Sequence, residues 1–144
     1  MIAPFLAMIA FTGTALFATS QESWEEIRPI AEAQHEIVLL LIERKEFDKV
    51  PGAARDIFRL GFPEDQEHRL VKEAEILTNA LLHHNQTRIA HQVLDDALLS
   101  VKTRGAKAKL HREKAYVYKK EGNTDEAMRQ FELAVALKSD DSEP

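Results

Sequence analysis

The sequence predicts an all-α protein: an antiparallel helix-pair solenoid of about three units, preceded by an N-terminal hydrophobic helix. Three observations carry this expectation. Residues 110–137, LHREKAYVYKKEGNTDEAMRQFELAVAL, place Ala115, Tyr118, Gly122, Ala127, Phe131 and Ala134 at the offsets of a helix–turn–helix hairpin. The 144 residues hold only five Gly and five Pro, clustered at candidate turns, and no run alternates apolar and polar residues as a strand would. Residues 1–20 contain no charged side chain, and Glu22, Glu25 and Glu26 come directly after them. The length is that of one domain.

The hairpin near the C-terminus is the clearest element. Ala115 and Ala127 allow two antiparallel helices to approach closely, Tyr118 and Phe131 fill the space above and below, and Gly122 permits the positive φ of the turn. Asn123 and Glu126 have the spacing of a capping box for the second helix. Laid upstream, the same template puts Ala90 at the anchor position of Ala127, with Leu94 and Ala97 for Phe131 and Ala134. One step further it finds Val50, then Ala54 and Ile57, with Phe47 entering the turn. The anchors Val50, Ala90 and Ala127 lie 40 and 37 residues apart. The excess over a repeat of about 34 residues falls in Gly61-Phe62-Pro63-Glu64-Asp65 and in Thr103-Arg104-Gly105.

This pattern resembles the tetratricopeptide (TPR) repeat, whose signature sets small residues, Tyr, Gly, Ala and Phe at these spacings. It departs from the signature in lacking a Trp at the start of each unit, in Val38 and Val50, which replace small residues, and in Ser139, which stands for the closing Pro. The resemblance implies stacked helix pairs over residues 31–138 and a non-catalytic interaction scaffold. It further implies that the first helices of successive units line a concave groove for an extended peptide or a partner helix. The groove positions are Lys109, Arg112, Tyr116, Lys119 and Lys120 in the last unit, Lys72, Glu75, Asn79 and His83 in the middle one, and His35, Leu39 and Glu43 in the first. Asn79 with Lys109 and Arg112 is similar to the carboxylate clamps of some TPR domains, although the basic and Asn residues expected of the first unit are absent.

Upstream of the repeats, residues 1–20 read as a hydrophobic membrane anchor or signal segment. About 20 apolar residues span a bilayer, whereas a signal core needs about 7–15. Ala18 and Ser20 sit at the −3 and −1 positions of a cleavage site that would leave Gln21 first, yet no Lys or Arg precedes the apolar core. Residues 21–30 form a linker. Within it, Trp24 reads as a membrane-interface residue at headgroup depth, or else as a cap over the open end of the first unit. Pro29 marks the break between anchor and repeats. From Ala31 the apolar residues Ile37, Leu40 and Leu41 continue as the first repeat helix, and residues 139–144 form an acidic tail. Short N-terminal segments of this kind usually export the remainder of the chain, which puts the repeat domain outside the cytoplasm, in the periplasm if the source is bacterial.

Charge is divided along the chain. Residues 21–75 contain fourteen acidic and eight basic side chains, net −6, and residues 102–120 contain eight basic and one acidic, net +7. The basic run suits a protein partner with an acidic surface or peptide, or anionic headgroups. Nucleic acid fits poorly, because base-stacking aromatics are not interleaved with the basic residues. With no cysteine, disulfides, thiolate nucleophiles and Cys-bound metals are excluded. His83, His84 and His91 are split by the turn at Asn85 to Thr87 and have no facing partner pair, so no metal is expected, and Asp95-Asp96 reads as an exposed pair. There is no nucleophile motif, phosphate loop or catalytic carboxylate pair, and no cofactor is expected. Two functions fit these features: a membrane-anchored scaffold that is a subunit or assembly factor of a larger membrane complex, or a cleaved, soluble exported peptide-binding module.

Overall fold

The computed structural model describes residues 20–139, with side chains from 24 to 138. Among them are six α-helices and no strand: α1 (Ser20–Glu43), α2 (Val50–Phe58), α3 (Glu67–His83), α4 (Thr87–Ser100), α5 (Arg104–Lys120) and α6 (Thr124–Ser139). The anchor expected over residues 1–20 lies outside the described residues except for Ser20, and so does most of the acidic tail. No described helix is long and apolar enough to cross a membrane.

Consecutive helices pack as pairs, α1 with α2, α3 with α4, and α5 with α6. Across the pairs, α1 touches α3, α3 touches α5, α2 touches α4, and α4 touches α5. The turns that close the three pairs share one geometry. Backbone N–H groups of Glu46, Gln86 and Asn123 donate to the carbonyls of Leu41, Leu81 and Tyr118, each at 2.9 Å. The residue before each donor has positive φ: Lys45 at 59°, Asn85 at 56° and Gly122 at 77°. Each of these precedes its anchor, Val50, Ala90 or Ala127, by five residues. This is the Schellman closure, in which a left-handed residue lets the chain satisfy the last carbonyls of the helix. Asn123 also accepts from the Glu126 N–H through Oδ1 at 3.3 Å, capping α6.

One apolar cluster runs from Val38 and Ile42 of α1 to Leu110 and Val117 of α5, and includes all three template anchors except Ala127. Its centre is α3 and α4, where Leu70, Leu77, Leu81, Val93 and Leu94 are fully buried. Burying one such side chain stabilises the fold by about 1.5–3 kcal/mol. No residue of α6 belongs to the cluster. Instead α5 has two buried faces. Ala106, Leu110 and Val117 join the cluster, whereas Ala108 and Ala115, seven residues apart, form a buried small-residue face on the other side of the helix, and Ala127 is the buried small residue of α6.

A buried carboxylate joins the second pair to the third. Glu67, in the first turn of α3, accepts from the N–H groups of Lys102 (2.5 Å) and Thr103 (3.0 Å) and from the Thr103 hydroxyl (2.6 Å). Burial alone would raise its pKa, but the hydrogen bonds from Thr103 and Lys102 together hold it below the usual carboxylate range. Thr103 caps α5 in turn, accepting from the Ala106 N–H.

Several expectations are corrected here. Residues 21–30 are no linker, and Pro29 does not break the chain: α1 runs through it unbroken. The missing N–H of Pro29 leaves only the Glu25 carbonyl without its helical donor, on an exposed face, while Trp24, Ala31 and Val38 give the segment a buried stripe at seven-residue spacing. Trp24 is only 8% exposed, with its ring centroid 5.5 Å from that of Phe62 and the Arg69 guanidinium 4.7 Å from its own. It packs over the end of the first pair, as the cap reading of this residue expected. The core register of α1 is Ala31, Val38 and Ile42, so Ile37 and Leu40 face outward. Arg104 and Gly105 belong to α5, not to a loop. Tyr118 and Phe131 are half-buried rather than core-filling.

Candidate functional site

The residues expected to line a groove on α5 recur every three or four positions, which sets them on one face of the helix. Lys109, Arg112, Tyr116, Lys119 and Lys120 are all exposed, to one side between the two buried faces of the helix. The Tyr116 ring meets Phe131 of α6 edge-on, with centroids 5.3 Å apart, and the Lys119 ammonium lies 6.0 Å from the Tyr116 ring centroid. Between α5 and α6 the surface forms a cavity of about 150 Å³, floored by Ala108, Phe131, Ala134 and Val135 and rimmed by Lys109 and Arg112. An apolar floor with a cationic rim can seat an amphipathic segment whose polar edge is acidic.

Electrostatics tie α3 to this face. Burial pushes the Glu113 carboxyl up, Glu75 adds to the effect, and Arg112 and Lys72 oppose it. Lys72 pairs with Glu75 at 3.6 Å and Arg112 with Glu113 at 3.9 Å. The structure thus brings Lys72 and Arg112 together around two carboxylates, so the basic run is interleaved with acid along the α3–α5 seam. Lys114 leaves the patch altogether, because it pairs with Asp95 of α4. The adjacent Asp96 accepts from Arg55 Nε at 3.2 Å, so this Asp pair ties α4 to α5 and α2 rather than standing free in solvent. Exposed pairs of this sort contribute about 0–1 kcal/mol each. Asn79 and His83 are exposed further along α3. Leu39, expected in the groove, instead packs against the core cluster.

A second concavity lies between α1 and α3, and two of the expected groove residues, His35 and Lys72, are among those that line it. Trp24, Ala31, Phe62 and Ile76 line a cleft of about 430 Å³, and Arg28, Arg69 and Lys72 reach into it. His35 Nδ1 and Glu73 Oε1 meet there at 2.5 Å. Burial pushes the Glu73 carboxyl up, and the hydrogen bond and charge of His35 oppose that push. Phe62 lines this cleft from the loop before α3, a position that gave no periodic signal.

Two further histidines join neighbouring pairs. His84 packs against Phe47 with tilted rings whose centroids are 5.6 Å apart, and His91 packs against Tyr118 at 4.2 Å while its Nε2 meets Glu121 Oε1. Among the described residues no three His, Cys, Asp or Glu side chains converge as metal ligands do. No protein-family model, curated protein or solved structure matches the chain, so a functional reading rests on the geometry of its own residues.

Proposed function

We propose that the chain is a non-catalytic, TPR-like interaction scaffold, held at a membrane through residues 1–20, that serves as a subunit or assembly factor of a larger membrane complex. The observation that carries the reading is the α5–α6 face, where Tyr116, Phe131, Ala134 and Val135 offer an apolar floor beside Lys109 and Arg112. The thrice-repeated turn at Lys45, Asn85 and Gly122 supports the repeat assignment. Arg112 can grip a carboxylate with two parallel hydrogen bonds, while Lys109 and Lys119 act as point charges. Such charges steer association and set register more than they fix affinity.

Two experiments test this reading. Reversing Lys109, Arg112 and Lys119 to Glu should slow association with the partner complex and flatten its salt dependence, with the helical fold retained. Co-purification of the same partners at unchanged yield and salt sensitivity would refute it. Alkaline carbonate extraction tests the anchor: the full-length chain should stay in the membrane pellet, and its release would favour the soluble exported module.

A further inference from the structure

The two end helices leave apolar side chains in solvent; α1 is acidic, and α5 sets basic side chains beside the apolar face of α6. On α1, Ile30, Ile37 and Leu40 are exposed, the latter two at 48% and 53%, and they share one face at spacings of seven and three. Glu26, Glu36 and Glu43 are exposed on the same helix. Its only Lys or Arg between residues 24 and 43 is Arg28, which is tied to Glu25 and Glu32. At the other end, Met128 and Val135 of α6 are 61% and 69% exposed beside half-buried Phe131; Lys109 and Arg112 border the Val135 side of this face, and Glu132 is its one acidic member. Large exposed apolar side chains in a row mark an interface.

The internal junctions show what covers such a face. α5 lies against both helices of the preceding pair, α3 and α4. The α5–α6 pair offers the equivalent seat, and nothing in the described chain fills it. Among the described residues, α1 likewise has an outward face that is apolar, acidic at its edges and uncovered. We infer that α1 of a second copy docks on the α5–α6 face of the first, head to tail, so that copies extend the stack of helix pairs. Such a contact is heterologous: each assembly keeps a free α1 at one end and a free α6 at the other. This names one partner for the face on which the proposed function rests, and it is tested separately from that function.

The absence of cysteine makes the test clean. Ile37→Cys and Val135→Cys are introduced singly into separate full-length chains, in detergent if needed. Both positions are exposed, so neither change disturbs the core. The two variants are mixed and treated with a bis-maleimide about one helix diameter long. The expected product is a cross-linked dimer that forms in the mixture and not with either variant alone. Its yield should fall about tenfold or more at high salt, or when the Val135→Cys copy also carries Lys109→Glu and Arg112→Glu. Two results overturn the inference. Cross-linking as strong with Val135→Cys alone indicates a face-to-face contact between two α6 helices. No cross-link in the mixture, while the charge reversals still block recovery of the membrane partners, leaves the scaffold standing and assigns the face to another protein.

Discussion

The α1–α4 half and the α5–α6 hairpin close on the same turn, yet they are held together by different means. In the first half, branched and long aliphatic side chains such as Val38, Ile57, Leu77 and Val93 interlock in one cluster. In the hairpin, Ala108, Ala115 and Ala127 bring the helices close, with a hydrogen bond between His111 and Gln130 at 2.7 Å and the Tyr116–Phe131 edge contact beside it. The hairpin also carries the cleanest repeat signature in the chain. The signature residues thus encode the approach of two helices, whereas stability depends on the aliphatic positions around them. A unit can match the template well while its second helix, α6, adds nothing to the shared aliphatic cluster.

This contrast is testable by substitution. Leu77→Ala should cost about 2–5 kcal/mol and shift the global denaturation midpoint, whereas Met128→Ala, on the exposed side of α6, should move it by less than about 0.5 kcal/mol. Equal costs would erase the distinction. Next in size is the carboxylate that joins the two regions. Glu67→Ala removes the acceptor of the part-buried N–H groups of Lys102 and Thr103 and should cost about 1–3 kcal/mol at neutral pH. Because the folded protein holds this carboxyl below its unfolded pKa, its contribution is present above the unfolded value and is lost as pH falls through the folded one. Denaturant titrations of Glu67→Gln from pH 7 down to pH 3 should therefore show a shallower acid decline than the parent; parallel curves would remove Glu67 as the link.

Smaller effects sharpen the comparison within the hairpin and at the turns. Ala127→Leu should overpack the α5–α6 approach, costing about 1–3 kcal/mol, and an unchanged melting temperature would show that the register is wrong. Lys45 holds positive φ with a Cβ, as Gly122 does without one. Lys45→Gly should therefore stabilise the first turn by up to about 1 kcal/mol, read as a higher denaturant midpoint.

Much of the fold was legible because the repeat is periodic. The anchors Val50, Ala90 and Ala127 are all buried where the template puts them, each within the first turn of a second helix. The turn at Asn85 was legible, but the positive φ at Lys45 was not, because lysine gives no signal for a left-handed residue. The α1 register was misread because Ile37 and Leu40 are as apolar as the residues that face inward, and no local rule distinguishes a core stripe from an uncovered one. Pro29 misled in the opposite sense, since the packing of Trp24 on Phe62 and Arg69 depends on residues more than thirty positions downstream. On the candidate site, exposure of Lys109, Arg112, Tyr116 and Lys119 could be read from helical spacing alone. The carboxylates among the bases could not, because Glu75 reaches that surface from another helix.

Native-state hydrogen exchange of the full-length chain tests most directly whether the core ends at α5 and leaves α6 as a face for partners. The account predicts that amides of residues 70–81 exchange only through global unfolding. Those of residues 131–137 should exchange through a local opening at least about 2 kcal/mol less costly, and their protection should rise as protein concentration increases. Exchange of α6 at the same free energy as α3, independent of concentration, would contradict it.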